Sequence, residues 1–263
     1  MAAGNTTTDA LADSLPSVIA SARAVREYEG AAAQLFDKVT LGDGIGLSWN
    51  EISLAQLTGQ HITETTVLDN PQQLSDTLFS ITPTVSGIHT FMTDRVAARV
   101  SKNAFAKTGG LAQNAIQRLK DEDCIVVFDG GTSLGGAGTT LAYNVISSAV
   151  ARILNNVTEP GRLPINVVLH GYQQKDIADQ VTAGIGTGVI SEGETARVFR
   201  DGFKGTIDGA RMYIDGNIAI DASDDAKGVV ACRDAIVMVQ GRLPRTETRR
   251  EPQIGGGGTS MWL

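Results

Sequence analysis

Residues 42–92 read GDGIGLSWNEISLAQLTGQHITETTVLDNPQQLSDTLFSITPTVSGIHTFM. The stretch contains no lysine and no arginine, and its acidic residues are Asp43, Glu51, Glu64, Asp69 and Asp76. Its threonines and serines alternate with apolar residues, as in half-buried β-strands. A segment that alternates for so long and so early is hard to bury within its own chain. The pattern therefore predicts a protruding hairpin that needs a neighbouring chain to lie on.

Three parts of this segment favour extended structure. Trp49 to Leu57 fits a strand or a short helix, whereas the β-branched run from Ile62 to Leu68 favours a strand. Leu78 to Ser86 alternates, and one face of that strand carries Phe79, Ile81 and Val85. Pro83 lies inside this run and cannot donate to a strand ladder, so we expect an edge strand there.

A long helix is predicted to follow the extended segment. Thr93 and Asp94 have the character of an N-cap and an acidic first turn. Apolar residues then recur at helical spacings as far as Leu119, which predicts about seven turns over residues 93–121. The pair Gly109-Gly110 costs roughly 1 kcal/mol per glycine relative to alanine, so we expect a bend or break there.

The remaining sequence contains both strand and helix patterns, and the fold class we expect is the α+β class of the family named below. The predicted strands are Cys124–Phe128, Ile165–Leu169 and Val229–Val239, and the predicted helices are Thr139–Asn155 and Gln173–Val181. The predicted loops and turns are Asp129–Gly138, Ala183–Glu194, Asp208-Gly209 and Asp215-Gly216.

Length, composition and charge limit the classes of protein to which the chain can belong. The chain has 263 residues, enough for one large domain or two modest ones, and a net charge of −7. A tight nucleic-acid binder normally shows a basic face. Only the tail contains a basic cluster, formed by Arg242, Arg245, Arg249 and Arg250. This cluster fits either a solvated or partner-facing tail or a contact with phosphate.

The two cysteines, Cys124 and Cys232, each adjoin apolar residues and predict buried free thiols in a reducing interior. No apolar run approaches the roughly 18 residues of a membrane span. The first 13 residues lack the basic and apolar regions of a signal peptide. We therefore expect no membrane association.

The sequence contains few candidates for chemistry. Asp129 to Thr132 reads DGGT, which after a strand can bind phosphate through backbone amides, although a plain glycine turn explains it as well. His61, His89 and His170 lack partners at metal-ligand spacing. Three aspartates, Asp221, Asp224 and Asp225, favour a solvated turn over a cation loop. We predict no catalytic residue, no cofactor and no metal.

The chain closes with four consecutive glycines, Gly255 to Gly258, and then with Met261, Trp262 and Leu263. An exposed tryptophan at a free terminus is unusual. We expect this end either to dock on a neighbour or to stop within a strand.

Several segments resemble the major capsid proteins of tailed phages with the Hong Kong 97 fold, in a marine-phage branch. In the loop region these are GLSWNEISLAQL at 46–57, LDNPQQL at 68–74 and ITPTV at 81–85. TDRVAARV at 93–100 resembles the start of the spine helix, and VVLHGY at 167–172 a strand-to-helix step of the axial domain. The resemblance covers nearly the whole chain.

The resemblance implies a division of the chain into five parts. These are an N-terminal arm with short helices (1–41), an extended loop (42–92), a peripheral domain with the spine helix (93–138), an axial domain (139–240) and a return to the peripheral domain (241–263). The family pattern continues beyond Leu263, which implies a shortened peripheral sheet or a truncated gene.

The implied function is a non-catalytic coat protein that assembles as pentamers and hexamers into an icosahedral shell around phage DNA. The implied location is the virion capsid, assembled in the host cytoplasm, with scaffolding, portal or decoration proteins as further partners and weak, non-specific contact with double-stranded DNA. The loop would reach over an adjacent subunit, and the expected assembly contacts are Trp49, Ile62, Phe79, Ile81, Val85 and Trp262. An encapsulin-type compartment and a phosphate- or nucleotide-binding enzyme using residues 129–132 are the alternatives.

Some members of this family cross-link covalently through a lysine of the extended loop. Because residues 42–92 contain no lysine, we predict that this loop forms no isopeptide bond.

Overall fold

The computed structural model describes residues 30–42, 44, 46–65, 71–99, 102–184, 206–253 and 255–263. Within them the helices are α1 (Ala32–Leu35), α2 (Asp94–Arg99), α3 (Lys102–Val126), α4 (Tyr143–Leu154) and α5 (Gly171–Gly184), and short 3-10 helices span Val127–Gly130 and Arg233–Ala235. The strands are β1 (Asp37–Thr40), β2 (Trp49–Leu54), β3 (Asp76–Ile81), β4 (Gly87–Thr93), β5 (Ile165–Leu169), β6 (Thr206–Ile207), β7 (Ala210–Ile214), β8 (Val229–Cys232), β9 (Val237–Gln240), β10 (Arg245–Glu251) and β11 (Gly256–Trp262). The chain therefore combines helices and sheets, as its sequence predicts.

A four-stranded sheet in the order β6-β7-β5-β8 forms the main core. Every residue of β5 is buried, because both faces of this strand are covered. Ile165, Val167 and Leu169 pack with apolar residues of α4 and α5. On the opposite face, Val168 belongs to a second cluster with residues of α1 and the end of α3. Continuous burial explains why β5 reads as an unbroken apolar run apart from Asn166, whose Nδ2 donates to the Leu35 carbonyl over 3.2 Å.

A three-stranded antiparallel sheet in the order β10-β11-β4 contains the glycine run near the end of the chain. A Cβ atom at Gly256 would lie 2.5 Å from the Met92 carbonyl oxygen, and one at Gly258 would lie 2.6 Å from the His89 ring. Glycine is therefore required at position 256, where the contact is with backbone, whereas a side chain at position 258 would first have to displace the His89 ring. Two smaller sheets remain: β1 pairs in parallel with β9, and β2 pairs antiparallel with β3.

The predicted start of the long helix is confirmed. α2 begins at Asp94, and the backbone N–H of Val96 donates to Thr93 Oγ1 over 3.4 Å, as in an N-cap. Of the bend or break predicted at Gly109-Gly110, the break is wrong, since both glycines lie inside α3. Tertiary packing outweighs the low helix propensity of the pair, because α3 is held further along by the buried side chains of Ile116, Asp121 and Cys124.

The predicted strand at Cys124–Phe128 is also wrong. This segment is the end of α3 and the start of a 3-10 helix. Cys124 and Phe128 are buried, whereas Val126 and Val127 are exposed, and burial four residues apart is the helical pattern. A short apolar run does not distinguish a strand from a buried helix by its periodicity alone.

Other boundaries differ from the sequence-based predictions. The strand predicted from Leu78 to Ser86 instead ends at Ile81, two residues before Pro83, whose missing N–H prevents continued pairing. The strand predicted from Ile62 to Leu68 is absent from the described part of that segment. Ile62 and Thr63 lie outside any strand, Glu64 and Thr65 form a turn, and residues 66–68 lie outside the described part. Val229–Val239 divides into β8 and β9 around a 3-10 helix.

Several predictions are confirmed, and others fall where the structure is not described. β5 matches its predicted bounds, α4 and α5 match their predicted helices to within a few residues, and Asp208-Gly209 forms the β6–β7 turn with positive φ at both residues. Cys124 and Cys232 are buried free thiols. Of the predicted arm, residues 1–29 lie outside the described residues, as do residues 185–194 of the predicted glycine-rich loop.

Candidate functional site

The β2–β3 hairpin, hereafter the finger, has a register that sets its two faces. Trp49 lies opposite Ile81, and Glu51 lies opposite Phe79. Because successive side chains alternate, these four residues share one face of the finger. The sequence-based placement of Phe79 and Ile81 on a common face is therefore confirmed.

The other face of the finger carries an apolar group that sequence reasoning missed. Ile52 lies directly opposite Leu78, and Leu54 follows Ile52 on the same face. Their exposed fractions are 61%, 64% and 67%. The signal was present in the sequence, but only the pairing register shows that these residues meet.

The finger lacks a cover among the described elements. Its strands make their extensive contacts only with each other in the described part of the chain. Phe79 is 57% exposed, and with Ile52, Leu54 and Leu78 it leaves large apolar side chains on both faces in water. Exposed large apolar side chains on a two-stranded hairpin are typical of an interaction site.

A cavity of about 790 Å³ lies at the base of the finger. Its walls come from the finger base, α3, β9 and the end of β11, and include Leu47, Val85, Cys124, Val127, Val239 and Trp262. Trp262 also lies against β4, where a Cβ atom at Gly87 would come within 2.5 Å of the indole ring.

The structure separates the six predicted contact residues into three groups. Trp49, Phe79 and Ile81 share one face of the finger. Val85, beyond the end of β3, and Trp262 both line the cavity at the finger base. Ile62 belongs to neither group: it is exposed on the connection between β2 and β3.

Electrostatics differ between the finger and the sheet that contains β10. The described finger and its connecting loop carry Glu51, Glu64 and Asp76 and contain no lysine or arginine. By contrast, β10 alternates charges of both signs, and its arginines form ion pairs with carboxylates: Arg245 with Glu247, Arg249 with Glu251, and Arg250 with Asp94. The basic tail of the sequence is therefore largely neutralised locally.

The suggested phosphate loop lacks the geometry on which that interpretation depends. Asp129 and Gly130 lie in a 3-10 helix at the end of α3 and do not follow a strand. The C-terminal end of a helix carries partial negative charge, which disfavours an anion. Asp129 Oδ1 instead pairs with Lys227 Nζ at 2.7 Å.

Two of the three histidines and the aspartate cluster have structural partners. His89 Nδ1 lies 2.7 Å from Ser260 Oγ across the β4–β11 pair, and His170 Nδ1 accepts from the Tyr172 N–H over 3.2 Å. Asp221 Oδ1 accepts backbone N–H groups of Ser223 and Asp225, as in a turn. Within the described ranges, no group of three or more His, Cys, Asp or Glu residues could hold a metal ion, and no helix is long and apolar enough to cross a membrane.

Comparisons with known proteins find similarity in structure. Neither the protein-family models nor the curated proteins give a match. A solved structure of Mycobacterium phage Che8 is similar to this chain with a TM-score of 0.73 and 17% identity, over 92% of this chain and 88% of that one. The capsid asymmetric unit of cyanophage Pam1 gives a TM-score of 0.70 and 10% identity, over 100% and 93%.

A third similar structure is the asymmetric unit of the bacteriophage PhiM1 mature capsid, with a TM-score of 0.68, 15% identity and coverage of 92% of this chain and 84% of that one. At these identities the similarity concerns the fold. The chain has the mixed helix-and-sheet fold of these phage structures along nearly its whole length.

Proposed function

We propose that this chain is the major capsid protein of a tailed phage, with a Hong Kong 97-like fold, and that copies of it assemble into the icosahedral shell that encloses the phage DNA. The observation that carries the proposal is the finger, whose apolar side chains are exposed on both faces in a chain that shares its fold with phage capsid structures. In this proposal the finger is the extended loop, and α2 with α3 is the spine helix.

Exposed apolar area supplies the driving force for assembly. Covering it releases roughly 25 cal/mol per Å². One finger on one neighbour gives a modest contact, but a closed shell repeats that contact at every subunit, so assembly becomes cooperative. The proposed contacts on the finger are Trp49, Ile52, Leu54, Phe79, Leu78 and Ile81, with Ile62 on its connecting loop and Val85 and Trp262 at its base.

The partners follow from this role. The chain would contact copies of itself in pentamers and hexamers, and scaffolding, portal or decoration proteins would join the shell. Assembly would take place in the host cytoplasm, and the chain would have no catalytic role. A net charge of −7 suits a wall that encloses double-stranded DNA with weak, non-specific contact.

Electron microscopy of the expressed full chain tests the proposal. Regular hollow shells support it. A compact monomer that nucleotide stabilises would overturn it in favour of an enzyme. Shells isolated from the cells that naturally produce the chain, with cargo protein and without nucleic acid, would overturn the DNA-enclosing role in favour of an encapsulin-type compartment.

A further inference from the structure

Two buried carboxylates hold the backbone just before and within α1. The N–H groups of Ala31 and Ala32 donate to Asp215 Oδ2 over 2.8 and 3.1 Å. The N–H of Ala33 donates to Asp121 Oδ1 over 3.0 Å. Asp121 belongs to α3 and Asp215 follows β7, so the two aspartates fasten one backbone segment to two elements that are distant in sequence.

Asn217 completes the network. Its Nδ2 donates to Asp121 Oδ2 over 2.9 Å, and its backbone N–H donates to Asp215 Oδ1 over 2.9 Å. Gly30 passes directly over Asp121, since a Cβ atom there would lie 2.0 Å from Asp121 Cγ. Asp121 and Asp215 are 1% and 0% exposed, so water does not screen the two carboxyl groups from each other.

The same part of the chain holds both carboxyl groups. Both oxygens of Asp215 accept backbone N–H groups. Asp121 accepts one backbone N–H and one amide N–H. Burial and then the charge of Asp215 raise the pKa of Asp121. A proton on Asp121 removes the repulsion between two buried carboxylates.

The surrounding titratable groups do not replace this proton. Cys124, one turn further along α3, stays a neutral thiol because burial, assisted by Asp121 and Asp215 and opposed by Lys38 of β1, raises its pKa to about 12. Residues 30–36 read GAAAQLF and carry no titratable side chain. β5 contributes only a backbone carbonyl, that of Leu169, which accepts the Asp215 N–H over 2.9 Å.

We propose that Asp121 and Asp215 form a proton-dependent anchor for the segment that leads from the N-terminal residues into α1. With one proton shared by the pair, the segment is held firmly on α3 and the four-stranded sheet. When that proton leaves, repulsion between the two carboxylates loosens residues 30–33. The anchor thus couples the attachment of the N-terminal segment to pH, whether or not the chain forms shells.

The direction of the pH dependence follows from Asp121. Burial raises the pKa of this carboxyl group above its ordinary value of 3.8, and Asp215 raises it further, against the hydrogen bonds from Asn217 and Ala33, which lower it. The folded state therefore binds the proton more tightly than the unfolded chain does. The anchor is strongest on the acidic side of the raised pKa and weakens as the pH rises through it.

Hydrogen–deuterium exchange of the full-length chain over a pH series, from below the ordinary pKa of 3.8 up to pH 8, tests the proposal. Protection factors, corrected for intrinsic exchange, would be compared between the peptide spanning residues 30–36 and α4 as an internal reference. We expect the protection of residues 30–36 relative to α4 to fall as the pH rises through the raised pKa of Asp121. Equal relative protection across the whole series would overturn the proposal without any variant.

Two variants separate the proton from the hydrogen bonds. Asp121→Asn is neutral at every pH, keeps an acceptor for Ala33 and can donate to Asp215, while the Asn217 side-chain amide can flip to accept from it. We expect the relative protection in this variant to become independent of pH. Asp215→Asn removes an acceptor for backbone N–H groups and should lower protection across the whole pH series. Persistence of the wild-type pH dependence in Asp121→Asn would contradict the proposal.

Discussion

The four-stranded sheet and the finger are built from similar β-forming residues but differ in what covers them. β5 is buried along its whole length, because α4 and α5 lie on one face and α1 and the end of α3 on the other. The finger leaves Ile52, Leu78 and Phe79 largely in water. The core of the fold is thus completed within the chain, whereas in the proposed assembly the finger is covered by another copy.

The largest effect on subunit stability is expected in the buried sheet. Ile165→Ala removes a fully buried side chain from the core between β5 and α4. It should lower the free energy of unfolding of the unassembled subunit by about 2–5 kcal/mol. Denaturant titration measures this change, with Ile62→Ala as the exposed control, expected within about 0.5 kcal/mol. Similar losses in both variants would remove the distinction between the two regions.

A smaller loss is expected where β11 approaches β4. In Gly256→Ala the new methyl group would meet the backbone of Met92 and Thr93, which cannot move aside as a side chain would. We expect a loss of about 1–3 kcal/mol from overpacking. The neighbouring Gly257→Ala is the matched control, because its nearest contact is an ordinary 3.6 Å from the Arg249 carbonyl oxygen. Equal thermal unfolding of the two variants would contradict the close approach.

In the finger, substitutions should impair assembly while leaving the stability of the subunit nearly unchanged. The double variant Ile52→Ser with Leu78→Ser removes an exposed cross-strand pair and should change subunit stability by no more than about 0.5 kcal/mol. Shell assembly, measured by sedimentation, should nevertheless be lost. Asn50→Ser lies on the same face and should assemble normally. A double variant that forms shells as readily as the wild type would show that this face makes no assembly contact.

The last prediction is that assembly produces no covalent cross-link through residues 42–92. The segment 42–92 contains no lysine, so assembled particles should dissolve into single chains on denaturing electrophoresis. A ladder of oligomers whose cross-links map to this segment would refute the prediction.

Local sequence patterns predicted the elements that depend on local chemistry. The capped helix start at Thr93, the apolar strand at 165–169 and the turn at Asp208-Gly209 each carry their own signal. The exposed hairpin was also predictable, since an acidic, alternating segment has no obvious place in the core of its own chain.

The sequence-based predictions are wrong or incomplete where tertiary contacts, and not local sequence, determine the structure. The apolar run that begins at Cys124 continues a helix, with Cys124, Ile125 and Phe128 packed in the core and Val126 and Val127 exposed. The apolar pair Ile52–Leu78 depends on register, which no local pattern specifies. The buried pair of Asp121 and Asp215 lies 94 positions apart in sequence, and nothing near either residue indicates the other.

The most direct test of the account is a density map of the assembled particle at side-chain resolution, traced through β2 and β3. We predict that the finger lies on an adjacent copy, with Ile52, Leu78 and Phe79 covered by that neighbour. A map in which the finger folds back onto its own subunit, or projects into solvent without touching another copy, would contradict the proposed role.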